Sequence, residues 1–501
     1  MSFFAEAPKS LEIVGPFGAG FLVFYVCSLL FIGWLGHRAK KESSLADFYL
    51  GGRGLGIFVL LLTLYATQYS GNTMLGFVGK AYRSGFYNLS GVVAMMAVIG
   101  GFVVFAPKLH RLSHRHGFIT PGDFVQHRFG TRALTVAVAL LGIFALGNYI
   151  LTNLKVLGLL VENISGGAVS FAVAVVVLSV IMFAYEAMGG LRSVAWTDVI
   201  QGVILLAGIL GVFVALQFHY GGLPGVSEQL EASRPEIWAA PTATQKVTWL
   251  STLLIFFFGI SMYPHAIQRI YAAKSAKVLR KSFQIMAFMP LFTTLLVVML
   301  GIMGIAVFPG LDQEGAGRSD EVTLYMIADL IEKTPLLLPL GVLFLGAIVA
   351  ATMSTIDSAL LAMSSMVTKD IYYPLRSNLS DRQLTLVGKI VSAILMAVIA
   401  GLTIALQDLT IWRLMEIKLE VLCQIAPAVM LGIHQPKLRT GAVFAGLVVG
   451  TVIAVSLAFE AFGMPSKPLG VHAGVWGLAA NLSVLGIVQI LVLKKPRNPK
   501  L

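Results

Sequence analysis

Apolar runs of about 20 residues recur along the whole chain, each long enough to cross the hydrocarbon core of a bilayer as a helix. Thirteen are predicted, at residues 15–36, 56–79, 86–106, 133–159, 167–188, 196–217, 248–266, 282–308, 335–366, 386–406, 409–433, 440–461 and 471–493. Two of them are broken. The second span carries the polar stretch Leu64-Tyr65-Ala66-Thr67-Gln68-Tyr69-Ser70-Gly71-Asn72-Thr73 between the apolar flanks Leu55–Leu62 and Met74–Val78. The seventh is weakened by Gly and Pro in Phe258-Gly259-Ile260-Ser261-Met262-Tyr263-Pro264-His265. Lipid cannot satisfy free backbone groups, so such breaks must face protein or a water-filled cavity. Discontinuous helices at corresponding positions of two halves are the pattern that builds solute and ion sites near the bilayer midplane. A Pro-kinked helix without a ligand role is the alternative for the second break taken alone.

Spans two to six and seven to eleven form two five-helix halves, each with an odd number of crossings, so the halves run in opposite directions. The predicted division is an extra helix at 1–45, halves at 46–220 and 221–435, and two further helices with a short tail at 436–501. The fold class is therefore an all-α integral membrane protein. The loops 218–247 and 309–334 are the longest and suit helices lying on the membrane surface. The first span is too long for a cleavable signal and follows no basic start, so a retained helix is expected.

Composition agrees. Hydrophobic residues make up 57% and charged residues 12%, with a mean hydropathy of +0.85, against about 25% charged in a soluble domain. The net charge of +12 raises nucleic acid as a partner, but its distribution removes it. With the N-terminus outside, 25 of the 36 Lys and Arg residues sort inside. They include Lys40, Lys41, Arg53, Lys108, Arg111, Arg269, Lys274, Lys494, Lys495, Arg497 and Lys500. The outside loops hold acids such as Glu228, Asp312 and Glu314, and Lys155 falls within a span. Cys27 and Cys423 sit in apolar spans with no framework or metal spacing and are expected to be packing residues. His110, His114 and His116 are flanked by Arg111 and Arg115 and read as a solvated basic loop rather than a metal site.

Candidate chemistry concentrates in the ninth span, Gly346-Ala347-Ile348-Val349-Ala350-Ala351-Thr352-Met353-Ser354-Thr355-Ile356-Asp357-Ser358. Helical geometry puts Ala351, Ser354, Thr355 and Ser358 on one face. Two hydroxyls and a freed carbonyl there, with carbonyls from a broken partner helix, would make a five-oxygen site for a hard cation such as sodium. Ser364 and Ser365 are expected only to bond the carbonyl one turn back. Asp357 is a carboxylate at a depth where ionisation is costly, which marks it as a functional candidate.

At this point the chain resembles the sodium:solute symporter family, which has the LeuT-like inverted-repeat fold. The resemblance runs from Phe48 to Gly432. It rests on Phe48-Tyr49-Leu50-Gly51-Gly52-Arg53, on Ala66 to Gly71, on Gly189-Gly190-Leu191-Arg192-Ser193-Val194-Ala195-Trp196-Thr197-Asp198, and on Gln268-Arg269 with Ala272-Ala273-Lys274-Ser275. Met353-Ser354-Thr355 with Lys369-Asp370-Ile371-Tyr372 completes it, and the order and spacing together carry it. The resemblance implies thirteen helices, an outside N-terminus and a cytoplasmic C-terminus. It implies a sodium site of the carbonyls of Ala66, Tyr69 and Ala351 and the hydroxyls of Ser354 and Thr355. It also implies a second cation position at Asp198, Asp357 and Ser358. An acid at Asp357 departs from the family, which often has a hydroxyl or amide there; it can bind a cation or carry a proton. No positive side chain is expected at this second cluster.

The solute is expected between the breaks, at Gln68, Ser70, Asn72 and Thr73 on one side and Phe258, Gly259 and Ser261 on the other, with Gln424 beyond. Asn88, Ser90, Asn148 and Tyr149 are weaker candidates. Arg413, Glu416, Lys418 and Glu420 are read as lining a wet vestibule or pairing with one another. The reading is sodium-coupled symport of a small organic solute by alternating access in the plasma membrane, with no covalent chemistry, cofactor or obligate protein partner. Helix N-termini at a break favour an anionic group, and the second span resembles the vitamin and organic-acid branch of the family more than the sugar branch. Pantothenate, a short monocarboxylate or an amino acid would suit. The alternatives are proton coupling at Asp357 or Asp198, and a symporter-like sensor, which would need an output domain after the last span.

Overall fold

The computed structural model describes residues 15–38, 44–313, 318–376, 378–407 and 409–494. Lys40, Lys41, Glu314, Lys495, Arg497 and Lys500 lie outside the described residues, as does the side chain of Lys494. The described chain is helical throughout. Its principal helices are α1 (Gly15–Arg38), α2 (Ile57–Gln68), α3 (Phe77–Ser84), α4 (Ser90–His116), α5 (Arg132–Ile164), α6 (Phe171–Met188), α7 (Gly190–His219) and α8 (Ala243–Gly259). They continue with α9 (Pro264–Ala272), α10 (Ala276–Met286), α11 (Thr294–Val307), α12 (Leu338–Met366), α13 (Asp381–Ala405), α14 (Ile411–Leu422), α15 (Thr440–Ala458) and α16 (Ala473–Lys494). The two long loops do carry helices, Gly222–Ser233 and Val322–Lys333.

Among the described residues, ten helical stretches are long and apolar enough to cross a membrane. Each of the thirteen expected spans is helical, but thirteen crossings are not obtained by this measure. The α2 helix stops at the first break after 12 residues, and α14 gives way after 12 residues to a tighter 3-10 turn at Cys423–Ile425.

Burial sorts the helices. The α12 helix is apolar on every side and buried from Phe344 to Met366, as expected of a helix surrounded by others. It packs against α5, α6 and α7. The α13 helix exposes Leu386, Ile390, Ile394, Val398 and Leu402 in one stripe at helical spacing. Water would not tolerate that stripe, but lipid does. The break between α6 and α7 falls at Gly190, whose φ of +58° and close approach to the Phe48 carbonyl exclude a side chain. Arg192 just beyond pairs with Asp47 at 2.5 Å, so the matched segments around Phe48 and Gly190 meet in space. A parallel bridge, Leu55 N–H to Ala272 O at 3.1 Å and Lys274 N–H to Leu55 O at 3.0 Å, ties the start of α2 to the end of α9.

Candidate functional site

The first break is a true end of α2. Tyr69 is extended (φ −100°, ψ 105°) and its N–H makes the last ladder bond, to Tyr65 O. The carbonyls of Ala66, Thr67 and Gln68 therefore lie beyond the helical ladder. The chain resumes through a local turn in which Thr73 N–H donates to Ser70 O at 2.8 Å and Ser70 N–H reaches Thr73 Oγ1 at 3.3 Å. Gly71 N–H is taken by Asn153 Oδ1 at 3.0 Å, while Asn153 Nδ2 holds Tyr149 O at 2.7 Å. A side chain at position 71 would meet Thr352 and Val156 at 3.0 Å, so only Gly lets the break pack between α5 and α12. Asn153 was not among the sequence candidates. Its signal was a second amide in an apolar span, one turn after Tyr149.

Opposite this end, Ala351, Ser354, Thr355 and Ser358 are all fully buried on α12. Thr355 Oγ1 donates to Ala351 O at 2.9 Å. The Tyr149 hydroxyl reaches Thr67 O at 3.3 Å, with the Ser70 and Thr355 hydroxyls beside it. The structure thus brings the end of α2, carrying Ala66 and Tyr69, to the Ala351–Thr355 turn. Ser354 turns elsewhere: its hydroxyl donates to Asp198 Oδ1 at 2.5 Å.

The second cation cluster is corrected by the structure. Asp198 and Ser358 do come together, but around Arg269, whose Nη2 contacts Asp198 Oδ2 at 3.4 Å and donates to the Ser358 hydroxyl. Thr63 also donates to Asp198 Oδ2, and Arg269 Nη1 holds His265 O at 3.2 Å. Both charged side chains are fully buried. A guanidinium occupies the position where sequence reasoning expected an ion and no positive side chain. Arg269 counted as a loop cation because it follows the second break; the chain instead continues as α9, which carries it into the protein. Asp357 is also fully buried on α12, within electrostatic reach of the Tyr25 phenol of α1, which accepts a hydrogen bond from Gln201 Nε2 at 2.7 Å.

At the second break the ladder tightens at Ile260–Met262 and restarts at Pro264. Gly259 lies 3.0 Å, at its missing Cβ, from Leu419 O of α14. Tyr263 stacks on Tyr149 (ring centres 5.0 Å, planes 6° apart), and His265 lies 5.7 Å from the same Tyr149 ring. The two breaks therefore meet around Tyr149. Ser70, Asn72 and Thr73 are buried at the first break, and Gln68 is half-buried. Phe258 is half-buried against Phe257. Ser261 is buried, bonded to Phe257 O at 2.6 Å, and faces Gly101 of α4.

The turn Cys423–Ile425 packs on Ile260–Met262 of the second break, but the Gln424 side chain is taken up by α16. The Gln424 amide donates to Gly474 O at 2.9 Å, and its carbonyl oxygen faces Asn481, both on α16. Its side chain is fully buried and serves helix–helix packing. Asn88 Nδ2 binds Phe77 O at 3.1 Å and so serves local structure, while the Asn148 backbone carbonyl accepts from Thr152 at 2.7 Å. Ser90 starts α4 and is half-buried.

The charges of α14 divide. Arg413 and Glu416 pair at 3.5 Å, and Glu416 also accepts from Lys467 at 2.7 Å and Trp412 Nε1 at 2.6 Å. Glu420 meets His472 at 3.3 Å. Lys418 joins neither group. It is fully buried, its Nζ has no hydrogen-bond partner among the described residues, and it sits 3.7 Å from the centre of the Tyr149 ring. A desolvated cation–π contact offsets about 2 kcal/mol, against an ammonium desolvation cost of several kcal/mol. Lys155 shows the contrast: equally deep, it donates to the carbonyls of Gln407 and Leu409, each at 2.5 Å.

Elsewhere, a pocket of about 630 Å³ opens at the start of α2, lined by Asp47, Gly52, Arg53, Val59, Arg192 and Trp196, away from the breaks. His110 bonds Ala273 O at 3.0 Å and stacks on His114 at 4.3 Å. Among the described residues no group of three or more His, Cys, Asp or Glu is placed to hold a metal ion.

Broken helices facing one another inside an all-helical membrane bundle define a transporter of the LeuT-like fold. The structure of a Na+-coupled sialic acid symporter in a substrate-bound outward-open state superposes with a TM-score of 0.77, covering 95% of this chain and 98% of that one at 21% identity. The sodium:solute symporter family model matches residues 48–450. The chain belongs to the sodium:solute symporter family. It is 28% identical to the osmoregulated proline transporter OpuE of Bacillus subtilis (strain 168), over 97% of this chain and 96% of that protein. It is 27% identical to the high-affinity proline transporter PutP of the same organism, over 85% and 89%. It is thus a multi-pass membrane transporter, not an enzyme.

Proposed function

We propose that the chain couples sodium entry to the uptake of a small organic solute by alternating access. The observation that carries this is the end of α2 at Tyr69, which frees the Ala66–Gln68 carbonyls opposite the Ala351–Thr355 turn of α12. Sodium is held there by the carbonyls of Ala66, Tyr69 and Ala351 and the hydroxyls of Ser354 and Thr355. Ser354 must then exchange its bond to Asp198 for the ion, which links sodium occupancy to the Asp198–Arg269 pair. The solute lies between the breaks, at Ser70, Asn72 and Thr73, with Gln68, Phe258, Gly259 and Ser261 at the margins. The halves 46–220 and 221–435 rock about it. The N-terminus faces outward across the plasma membrane and the C-terminus the cytoplasm, on the charge bias of the loops. Relatives named as proline transporters support a solute of amino-acid or organic-acid size, such as proline, pantothenate or a short monocarboxylate.

Uptake into proteoliposomes, driven in turn by a sodium gradient and by a pH gradient with a panel of labelled solutes, tests the reading. Accumulation that follows sodium supports it. A second reading keeps the fold and replaces sodium with a proton at Asp357 or Asp198, on the ground that both carboxyls are fully buried. Accumulation that follows only the pH gradient selects that one.

A further inference from the structure

We propose that Lys418 is the anchor for a carboxylate on the transported solute; the proposal rests on the symport reading for placing the solute between the breaks. The α14 helix packs against both breaks, on the 72–76 turn of the first and on Ile260–Met262 of the second. Lys418 is the cation it sends toward their junction. Its ammonium lies over Tyr149, the ring on which Tyr263 stacks and beside which His265 sits.

Three features assign an anion to this position. An ammonium has three donors, and none finds an acceptor here among the described residues. The nearest carboxylates in sequence, Glu416 and Glu420, are each two residues away, roughly 200° around the helix, and are engaged with Lys467, Trp412, Arg413 and His472 on the other side. Two further buried polar atoms are also without partners among the described residues, His265 Nδ1 beside the Tyr149 ring and Asn72 Oδ1 in the turn on which α14 packs. A carboxylate on Lys418 leaves the rest of a small solute against Tyr149 and Tyr263, with Asn72 and His265 positioned to read its polar groups. A buried charge left without a counter-ion is costly; a carboxylate entering from water supplies it, so the site favours carboxylates over neutral solutes of the same shape.

The test uses purified full-length protein in detergent. Melting midpoints are followed against concentration for three pairs that differ at the carboxyl group: L-proline and L-prolinamide, pantothenate and pantothenol, propionate and propionamide. Each is measured in sodium chloride and in choline chloride. In the wild type, at least one carboxylate binds about 30- to 100-fold more tightly than its partner, as expected for a buried charge-assisted contact. Lys418→Met removes that ratio, and Lys418→Arg retains part of it. Without ligand, Lys418→Met melts at or above the wild type, because a buried ammonium has been replaced by an apolar side chain of similar length. The proposal is overturned if no carboxylate binds, if acid and neutral partner bind alike in the wild type, or if Lys418→Met keeps the ratio. The wild-type ratio needs no variant, so a folding defect cannot hide the answer. A Lys418-dependent ratio that persists in choline supports the anchor and removes sodium coupling. Sodium-dependent binding with an unchanged ratio in Lys418→Met supports the symport reading and removes the anchor.

Discussion

Asp198 and Arg269 form a fully buried ion pair, and the two halves of that pair should not be equally dispensable. Removing the carboxylate by Asp198→Asn leaves a guanidinium that cannot shed its proton. The substituted amide has one acceptor oxygen where the carboxylate had two, so it keeps the bond from Ser354 or from Thr63 but not both as they stand, and the charge is lost as well. Breaking a buried pair in this way costs about 3–5 kcal/mol. Arg269→Met is different, because a carboxyl group can take up a proton. Starting from an ordinary aspartate, protonation at pH 7 costs about 4 kcal/mol and at pH 5 about 1.5 kcal/mol. These figures cap the part of the arginine variant's penalty that comes from the unpaired carboxylate; the lost bonds to His265 O and Ser358 add to it at both pH values. A carboxyl more easily protonated folded than unfolded destabilises the fold at high pH and is relieved as pH falls. The gap between Arg269→Met and wild type should therefore shrink between pH 7 and pH 5, while that of Asp198→Asn should not. The double variant, with neither charge buried, should recover part of the Asp198→Asn loss, the coupling of a close pair, about 0.5–3 kcal/mol, less the cost of the Arg269 hydrogen bonds given up.

Melting midpoints of the four proteins at the two pH values decide the matter. The expected order at pH 7 is wild type, then the double variant, with Asp198→Asn lowest. An Asp198→Asn midpoint equal to wild type, or an Arg269→Met gap of the same size at both pH values, would refute the assignment of this cluster as an ion pair.

Other outcomes follow from the same geometry. Ser354→Ala with Thr355→Ala should abolish sodium stimulation of uptake while the protein still reaches the membrane; unchanged sodium dependence removes these hydroxyls from the mechanism. Substitutions of Gln68 or Asn72 should change the apparent solute affinity more than the sodium affinity, and equal loss of both points to a folding defect or a shared site. Asn153→Ala should cost about 1–3 kcal/mol by leaving the Gly71 amide unsatisfied, read as a lowered melting midpoint; no change would mean that the amide finds water. Asp357→Asn should flatten the dependence of uptake on sodium or pH with a smaller effect on solute binding, and identical sodium cooperativity and pH profile make Asp357 a structural acid.

Much of this arrangement was legible in the sequence because breaks at membrane depth are local events. Ser70-Gly71-Asn72 and Gly259 to Pro264 interrupt apolar runs and interrupt helices, and the face of Ala351, Ser354 and Thr355 follows from helical spacing alone. What was hidden is where side chains go once the spans pack. Arg269 looked like one more inside-loop cation because hydropathy does not report that α9 continues past the Pro264 restart. Gln424 sat in the right span, but its side chain bonds α16, which spacing along the chain does not report. Asn153 is one turn from the candidates Asn148 and Tyr149, and only the folded register shows which amide meets Gly71.

Three of the buried charges follow one rule, and Lys418 departs from it. Lys155 reaches two backbone carbonyls, Arg269 reaches Asp198, and Glu416 collects Arg413, Lys467 and Trp412. Each answers the cost of its own desolvation with partners supplied by the fold. Among the described residues, Lys418 has only an aromatic face. A protein that satisfies Lys155 and Arg269 and leaves this cation at the meeting point of two broken helices has kept a place for something from outside. The proposed sodium site and this lysine meet at one residue, since the Tyr149 hydroxyl reaches the end of α2 while its ring underlies the ammonium. Tyr149→Phe would keep the ring and remove the hydroxyl. It should weaken sodium dependence without changing the preference for a carboxylate, whereas Tyr149→Leu should disturb both.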